Sequence, residues 1–241
     1  MSVDISATDS IADVLVDPQV FHLKTSQIKA LRIDLSRLEK LPQIHRLLTS
    51  PAPLLETLDI QAFGVCSRVH SVLFSGEFPV LRRLSVDAFD PGVNKFSNLS
   101  HLALENLSYA GDDIFNLYSL LQDSPTLEEL NLNEISLRNL TPDQEDQFQR
   151  QTKLDMLHLH MISISLQRGV AITRLLLSIL KLRPHTAISI VYDDDDDVID
   201  NMFDVFPSRS DLSHLSNLHD LTSICFILDG TMAHVVGYGP S

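Results

Sequence analysis

The chain of 241 residues contains no tryptophan, two cysteines, eight glycines, and 18 basic against 32 acidic residues. Cys66 and Cys225 lie far apart and form neither a disulfide framework nor a zinc-ligand spacing. The glycines form no phosphate-binding loop and no G-x-S-x-G turn, and the sequence has no H-E-x-x-H motif. We therefore predict no enzyme, no cofactor and no metal site.

The shortage of basic residues gives a net charge of −14. A field of this sign repels phosphate backbones and anionic membrane surfaces, which argues against nucleic acid and membranes as partners. Apolar runs stay well below the roughly 18 residues of a membrane span, and the first residues have no signal-peptide pattern. We expect an intracellular protein, cytoplasmic or nuclear.

The sequence is instead rich in a repeated motif of a proline, a spacer, a leucine, two residues, a leucine, one residue and an aliphatic. Its full copies are Pro53–Ile60, Pro79–Val86 and Pro125–Leu132. Self-similarity of this kind indicates a repeat array. Each L-x-x-L-x-L core predicts a strand whose aliphatic side chains share one face.

The period of the motif predicts the fold. The central leucines, separated by 27, 26, 18, 28 and 27 residues, are Leu31, Leu58, Leu84, Leu102, Leu130 and Leu157. Most of these intervals are typical of leucine-rich repeats. We predict an α/β leucine-rich-repeat solenoid with a curved parallel sheet on the concave side and helices and loops on the convex side. The sixth strand is predicted at Leu154–Leu159.

Helical spacing of apolar residues predicts helices over 38–48, 69–73, 114–121 and 170–180, with Asp112 and Asp113 as N-caps of the third. Residues 1–27 are interpreted as an atypical N-terminal cap, 28–182 as leucine-rich repeats, and 183–241 as degenerate C-terminal repeats and a tail, all in one continuous domain. In the last part we expect a strand at 187–192, a helix at 198–206, a final unit around 221–226, and a weakly ordered tail or edge strand from 231.

The consensus asparagine of the leucine-rich repeat is replaced by hydrophobic residues. They are Phe63, Phe89, Leu107, Ile135 and Ile162. We therefore expect a hydrophobic spine in place of an asparagine ladder, and less regular turns.

The P-x-L-x-x-L-x-[ILV] copies, with Ser50–Glu56 and Phe74–Arg82, resemble the leucine-rich region of fungal, basidiomycete-type F-box proteins over residues 28–165. The resemblance implies a substrate receptor of a Skp-cullin-F-box ubiquitin ligase, in which the repeats hold the target. Residues 1–27 are too short for an F-box, so we expect either a fragment or truncated product of such a receptor, or a stand-alone repeat scaffold with no ligase link. A Skp-type adaptor is expected as a partner only if the full-length product contains an F-box.

The candidate partner-binding surface consists of the polar residues between the strand leucines. Its members are Arg32, Asp34, Asp59, Gln61, Arg83, Asp87, His101, Glu105, Glu129, Asn131, Asn133, His158 and His160, beside Thr57, Ser85, Ala103 and Met156. Five carboxylates against two arginines suit a protein target that carries a basic segment. The alternative is that these residues form only a solvated strand face.

Two other features have a chemical and a simpler interpretation. His158 and His160 share one face of their predicted strand, and Glu129 is expected on the adjacent strand, so the three could form a metal site; we interpret the histidines instead as an exposed pair on a polar strand. The run Asp193–Asp197 lacks the glycine turn and the later glutamate of a calcium loop, so we interpret it as a solvated, self-repelling loop.

Overall fold

The computed structural model describes residues 2–5, 26–34, 48–61, 67–68, 73–91, 94–166, 171–193, 206–207, 214–215, 223–229 and 232–238. Residues 198–205 of the predicted helix at 198–206 lie outside these residues, as do most of the predicted helices at 38–48 and 69–73 and residues 194–197 of the predicted acidic loop, whose first residue, Asp193, ends a strand.

Sixteen strands are present in the described residues. They are β1 (Ser2–Ile5), β2 (Ala30–Asp34), β3 (Thr57–Gln61), β4 (Ser67–Arg68), β5 (Arg83–Asp87), β6 (Phe89–Asp90), β7 (His101–Glu105), β8 (Ser108–Ala110), β9 (Glu129–Asn133), β10 (Ser136–Arg138), β11 (Leu154–Asp155), β12 (Met161–Leu166), β13 (Leu180–Lys181), β14 (Ala187–Asp193), β15 (Ser223–Asp229) and β16 (Met232–Tyr238). Three α-helices accompany them: α1 (Ile114–Gln122), α2 (Pro142–Gln149) and α3 (Ala171–Ile179).

Ten strands form one sheet in the order β1-β2-β3-β5-β7-β9-β12-β14-β16-β15. Neighbouring strands of this sheet are parallel from β1 as far as β14. Strand β16 pairs antiparallel with both β14 and β15. The short strands pair outside this sheet as β4 with β6, β8 with β10 and β11 with β13. The predicted α/β class with a parallel sheet is confirmed.

The motif aliphatics lie on one side of the parallel strands, where they are buried. Leu58, Leu84, Leu102 and Leu130 are direct register partners on successive strands, each at most 2% exposed. The second aliphatics pair in the same way and are Ile33, Ile60, Val86, Leu104, Leu132 and Ile164. Fully burying such a side chain stabilises the fold by about 1.5–3 kcal/mol, so this stripe is the main source of stability.

Each motif proline lies in a tight turn just before its strand. Leu55, Leu81 and Leu127 each donate their backbone N–H to the carbonyl three residues earlier, which places Pro53, Pro79 and Pro125 second in the turn. This position suits proline because its φ is fixed near the required value and no N–H is needed there. The motif prolines therefore belong to the turn that leads into each strand.

The strands also end alike. Ala88, Asn106 and Glu134, each two residues beyond the second aliphatic, have φ of 52°, 52° and 53°. Their N–H groups still bond to the next strand, at 2.9, 3.0 and 3.0 Å. The left-handed residue therefore turns the chain only after the sheet ladder is complete. These three turns are alike, so the expectation of irregular turns is wrong here. Of the predicted hydrophobic spine, Leu107 and Ile135 are each 2% exposed, whereas Ile162 lies within β12 opposite Leu130; Phe63 and the side chain of Phe89 lie outside the described residues.

The predicted third and fourth helices correspond to α1 and α3. Asp113 occupies the N-cap position of α1, as predicted, but its side chain makes no capping hydrogen bond there and instead accepts from the backbone N–H of Ala110. Asp112 is not the N-cap, and its side chain accepts from Gln144. The sequence analysis missed α2. Its signal is Thr141-Pro142-Asp143-Gln144, a capping box in which Gln144 N donates to Thr141 Oγ1 at 3.3 Å.

The sixth repeat strand was predicted five residues too early. It lies at β12, where Ile162 pairs with Leu130 and Ile164 with Leu132. Leu157 is in a turn and 45% exposed. The spacing L-x-x-L-x-L fits both Leu154–Leu159 and Leu159–Ile164, and the average period favoured the wrong choice. The helix α2 makes this repeat longer than the average, so a strand placed at the average spacing falls too early in the chain.

The last part of the chain departs from the repeats. The strand predicted at 187–192 is confirmed as β14. The unit around Leu221 was expected to continue the repeat, but β15 and β16 form an antiparallel pair, with Asp229 opposite Met232. Residues from 231 were expected as a tail or an edge strand, whereas β16 lies inside the sheet between β14 and β15.

Candidate functional site

The candidate site is the side of strands β2–β14 opposite the buried aliphatics, which we call the polar face. Alternation along each strand directs the residues between the aliphatics to this side. The parallel register then aligns them in three rows. The first row contains Thr57, Arg83, His101, Glu129, Met161 and Ala187, the middle row Arg32, Asp59, Ser85, Ala103, Asn131, Ser163 and Ser189, and the last row Gln61, Asp87, Glu105, Asn133, Ser165 and Val191.

Most of the predicted surface residues lie on this face. They are Arg32, Asp59, Gln61, Arg83, Asp87, His101, Glu105, Glu129, Asn131 and Asn133. Asp34 ends β2 and its backbone pairs with Gln61. His158 and His160 are not on a strand: His158 lies in the turn before β12 and His160 immediately precedes that strand. Met156 is buried, at 1% exposure.

The residues that β12 and β14 add to the polar face were not predicted. Met161, Ser163 and Ser165 take the places predicted for Met156, His158 and His160. The signal that could have located them is the aliphatic spacing of Leu159, Ile162 and Ile164. This end of the face carries small neutral side chains around Met161, which is 42% exposed.

Arg32 contacts two residues of the next strand. Its Nε lies 3.4 Å from Asp59 Oδ2, and its Nη2 donates to Gln61 Oε1 at 3.2 Å. The arginine side chain is 53% exposed and that of Asp59 25%. Arg32 therefore offsets the charge of Asp59 at the β2 end of the face.

The ends of β5 and β7 carry uncompensated negative charge. Asp87 and Glu105 are direct register partners, so two carboxylates lie side by side. Asp87 is 8% exposed and accepts from Asn106 Nδ2 at 2.7 Å. Burial raises the pKa of the Glu105 carboxyl, and the negative charges of Asp87, Asp59 and Glu134 raise it further. We call Asp87 and Glu105 the carboxylate edge. Their negative charges favour a positively charged group at this surface.

At the opposite ends of these strands, the imidazole of His101 on β7 and that of His160, just before β12, lie near Glu129 on β9. Glu129 Oε2 lies 3.6 Å from His101 Nε2, and Glu129 Oε1 lies 3.9 Å from His160 Nε2. Ser100 Oγ is 2.8 Å from His101 Nδ1, which holds the ring in place. We call these residues the His101–Glu129–His160 group. Glu129 was predicted for the face, and its contact with His101 follows from their register pairing.

A cleft of about 220 Å³ lies away from the polar face, between the segments that connect the strands. Phe78, Pro79, Lys95, Phe96 and Asn98 are among its lining residues, and Asn98 Nδ2 donates to the carbonyl of Pro79 at 2.9 Å. The cleft is therefore separate from the residues predicted to bind a partner.

Among the described residues, no cluster of three histidine, cysteine or acidic side chains has an arrangement that would hold a metal ion. Over the same residues, no helix is long and apolar enough to cross a membrane. The chain matches no protein-family model, no curated protein and no solved structure.

Proposed function

We propose that this chain is a leucine-rich-repeat solenoid that acts as a protein-interaction module and binds its target on the polar face. The observation that carries the proposal is the in-register parallel sheet, which places polar side chains of successive repeats in continuous rows on one surface. Repeat arrays of this type use such an extended surface for recognition.

The charges of the polar face favour a partner with a basic segment. Arg32 offsets the charge of Asp59. Asp87 and Glu105 lie side by side, and among the described residues no basic side chain forms an ion pair with either of them. A lysine or arginine placed over the carboxylate edge would relieve the repulsion between these carboxylates, so part of the binding free energy would come from this relief.

The proposal is tested with two double charge reversals, one on the polar face and one away from it. Glu105→Lys with Glu129→Lys changes two half-exposed carboxylates of the face, and Glu77→Lys with Asp143→Lys changes two exposed carboxylates away from it. We expect proteins captured from a cell extract by the wild-type chain to be lost with the first variant and retained with the second. Equal capture by both variants would contradict binding at the polar face.

The resemblance of the repeat phrases to fungal F-box proteins supports a more specific proposal, that the captured protein is a substrate of a Skp-cullin-F-box ubiquitin ligase. The test is to translate the genomic sequence upstream of Met1 and to express the resulting product. Co-purification of a Skp-type adaptor with that product, and not with residues 1–241, is expected. If an upstream F-box is not found and the adaptor does not co-purify, a stand-alone repeat scaffold is the better description.

A further inference from the structure

The His101–Glu129–His160 group places one carboxylate between two imidazoles. Each oxygen of Glu129 faces a different ring, at 3.6 Å from His101 Nε2 and 3.9 Å from His160 Nε2. All three side chains reach solvent, with exposed fractions of 25% for His101, 36% for Glu129 and 51% for His160. Imidazole is the side chain whose charge ordinarily changes between pH 5 and 8.

Among the described residues, the titratable ones next to this group in the chain or in the sheet are Arg82, Arg83, Glu128, His158 and His185. Arg83 is the register partner of His101 on β5, and Glu128 directly precedes Glu129. On the β12 side, the register partner of Glu129 is the uncharged Met161. Ser100, which contacts His101 Nδ1, carries no charge. In the first row the charges of Arg83 and Glu129 offset each other while His101 is neutral, so protonation of His101 and of His160, which precedes β12, makes this end of the face positive.

We propose that protonation of His101 and His160 weakens the binding of a basic partner segment, so that the polar face releases its target at lower pH. This inference rests on the proposed function and adds its regulation. With both rings neutral, the three side chains carry one negative charge. With both rings protonated, they carry one positive charge, next to Arg83 on the same row, and repel the partner's cations.

The experiment measures the affinity of the full chain for a fluorescent hexalysine peptide at about pH 8 and about pH 6, where aspartates ordinarily stay ionised. For the wild-type chain we expect binding to weaken by on the order of fivefold at the lower pH, because two positive charges are added to the face that binds the peptide. For His101→Gln with His160→Gln we expect a ratio near one. His185→Gln, an exposed histidine in the turn before β14, is the control and should keep the wild-type ratio.

The outcomes separate the two proposals. Hexalysine binding whose pH ratio is unchanged in the double histidine variant overturns this inference and leaves the proposed function standing. Failure of hexalysine to bind at either pH overturns the basic-partner proposal and this inference together. Loss of the pH ratio in Glu105→Gln, with the ratio intact in the double histidine variant, would assign the effect to the carboxylate edge and would also overturn this inference.

Discussion

The connection from β5 to β7 and the connection from β9 to β12 both join adjacent strands of the sheet, but they use very different lengths of chain. Leu84 pairs with Leu102 18 residues later, whereas Leu130 pairs with Ile162 32 residues later. The short connection buries the side chains of Asn94 and Phe96. The long one contains α2 and β11.

Both connections nevertheless begin and end in the same way. Each starts at a residue with left-handed backbone conformation, Ala88 or Glu134. Each ends in an aliphatic residue just before the next strand, Leu99 or Leu159, and both of these side chains are 0% exposed. The comparison teaches that the constant part of a repeat is the strand with its two flanking turns. The connecting segment can vary as long as it covers the buried side of the sheet.

Replacing Phe148 in the long connection gives the largest expected effect. Phe148 is 0% exposed, and its ring lies 5.7 Å from that of Phe115 and 6.1 Å from that of Tyr118, so it joins α2 to α1. We expect Phe148→Ala to lower the free energy of unfolding by about 4 kcal/mol. Gln147→Ala, an exposed position on the same helix, is the control. A loss below about 1 kcal/mol in urea unfolding would mean that α2 is not part of the core.

The register of β12 is tested by a pair of leucines two residues apart. Leu159 is 0% exposed and Leu157 is 45% exposed. We expect Leu159→Ala to cost about 3 kcal/mol and Leu157→Ala less than about 0.5 kcal/mol, measured by denaturant unfolding. Similar losses for both would restore the strand at Leu154–Leu159 that the average period predicts, because that strand would bury Leu157.

In the short connection, a buried amide takes the place of a helix. Asn94 accepts from the backbone N–H of Leu73 at 2.7 Å and donates to the carbonyl of Pro91. Asn94→Ala leaves both groups without this partner, and we expect a loss of about 2 kcal/mol in thermal or urea unfolding. Asn98→Ala, which removes an exposed amide, is the matched control. An equal loss at both positions would contradict a special role for Asn94.

The smallest expected effect concerns Glu105. Because its folded pKa is raised above the ordinary value of 4.5, the folded state holds this proton more tightly than the unfolded state does. Ionisation of Glu105 therefore leaves the free energy of unfolding unchanged below the unfolded pKa. It lowers that free energy as the pH rises from the unfolded pKa through the folded pKa. We expect Glu105→Gln to be more stable than the wild type at neutral pH by less than about 1 kcal/mol, and this gain to vanish near about pH 3. The exposed Glu128→Gln should show no such dependence in unfolding curves.

The sequence predicts the parallel sheet because its aliphatics specify both burial and alternation. Strands β3, β5, β7 and β9 follow from leucine spacing and from the turns that precede them. Strand β12 could not be assigned by spacing alone, because Leu159 belongs to two overlapping copies of the pattern. The antiparallel pairing of β15 with β16 is local, because Asp229 lies opposite Met232, and its sequence signal is Asp229-Gly230 between two apolar runs. The pairing of this hairpin with β14 is the long-range part that no local pattern encodes.

The candidate site was predictable to the same extent as the strands that carry it. The positions of Arg83, His101 and Glu129 follow from their register, whereas those of His158 and His160 were tied to the misplaced strand. The proximity of Glu129 to His160 was predicted and is present at 3.9 Å, although His160 precedes β12 instead of lying on a strand. The raised pKa of Glu105 requires its neighbours on three elements, which only the folded structure brings together.

The position of β16 has a consequence for biosynthesis. Strand β16 lies between β14 and β15 in the sheet, although it follows both in the chain. Until the ribosome has released residues 232–238, the outer edge of β14 has no partner from this hairpin, and an open strand edge attracts other chains. The earlier repeats can pair in the order in which they emerge, so the interval between the synthesis of β14 and that of β16 is the period in which the nascent chain is most exposed to aggregation.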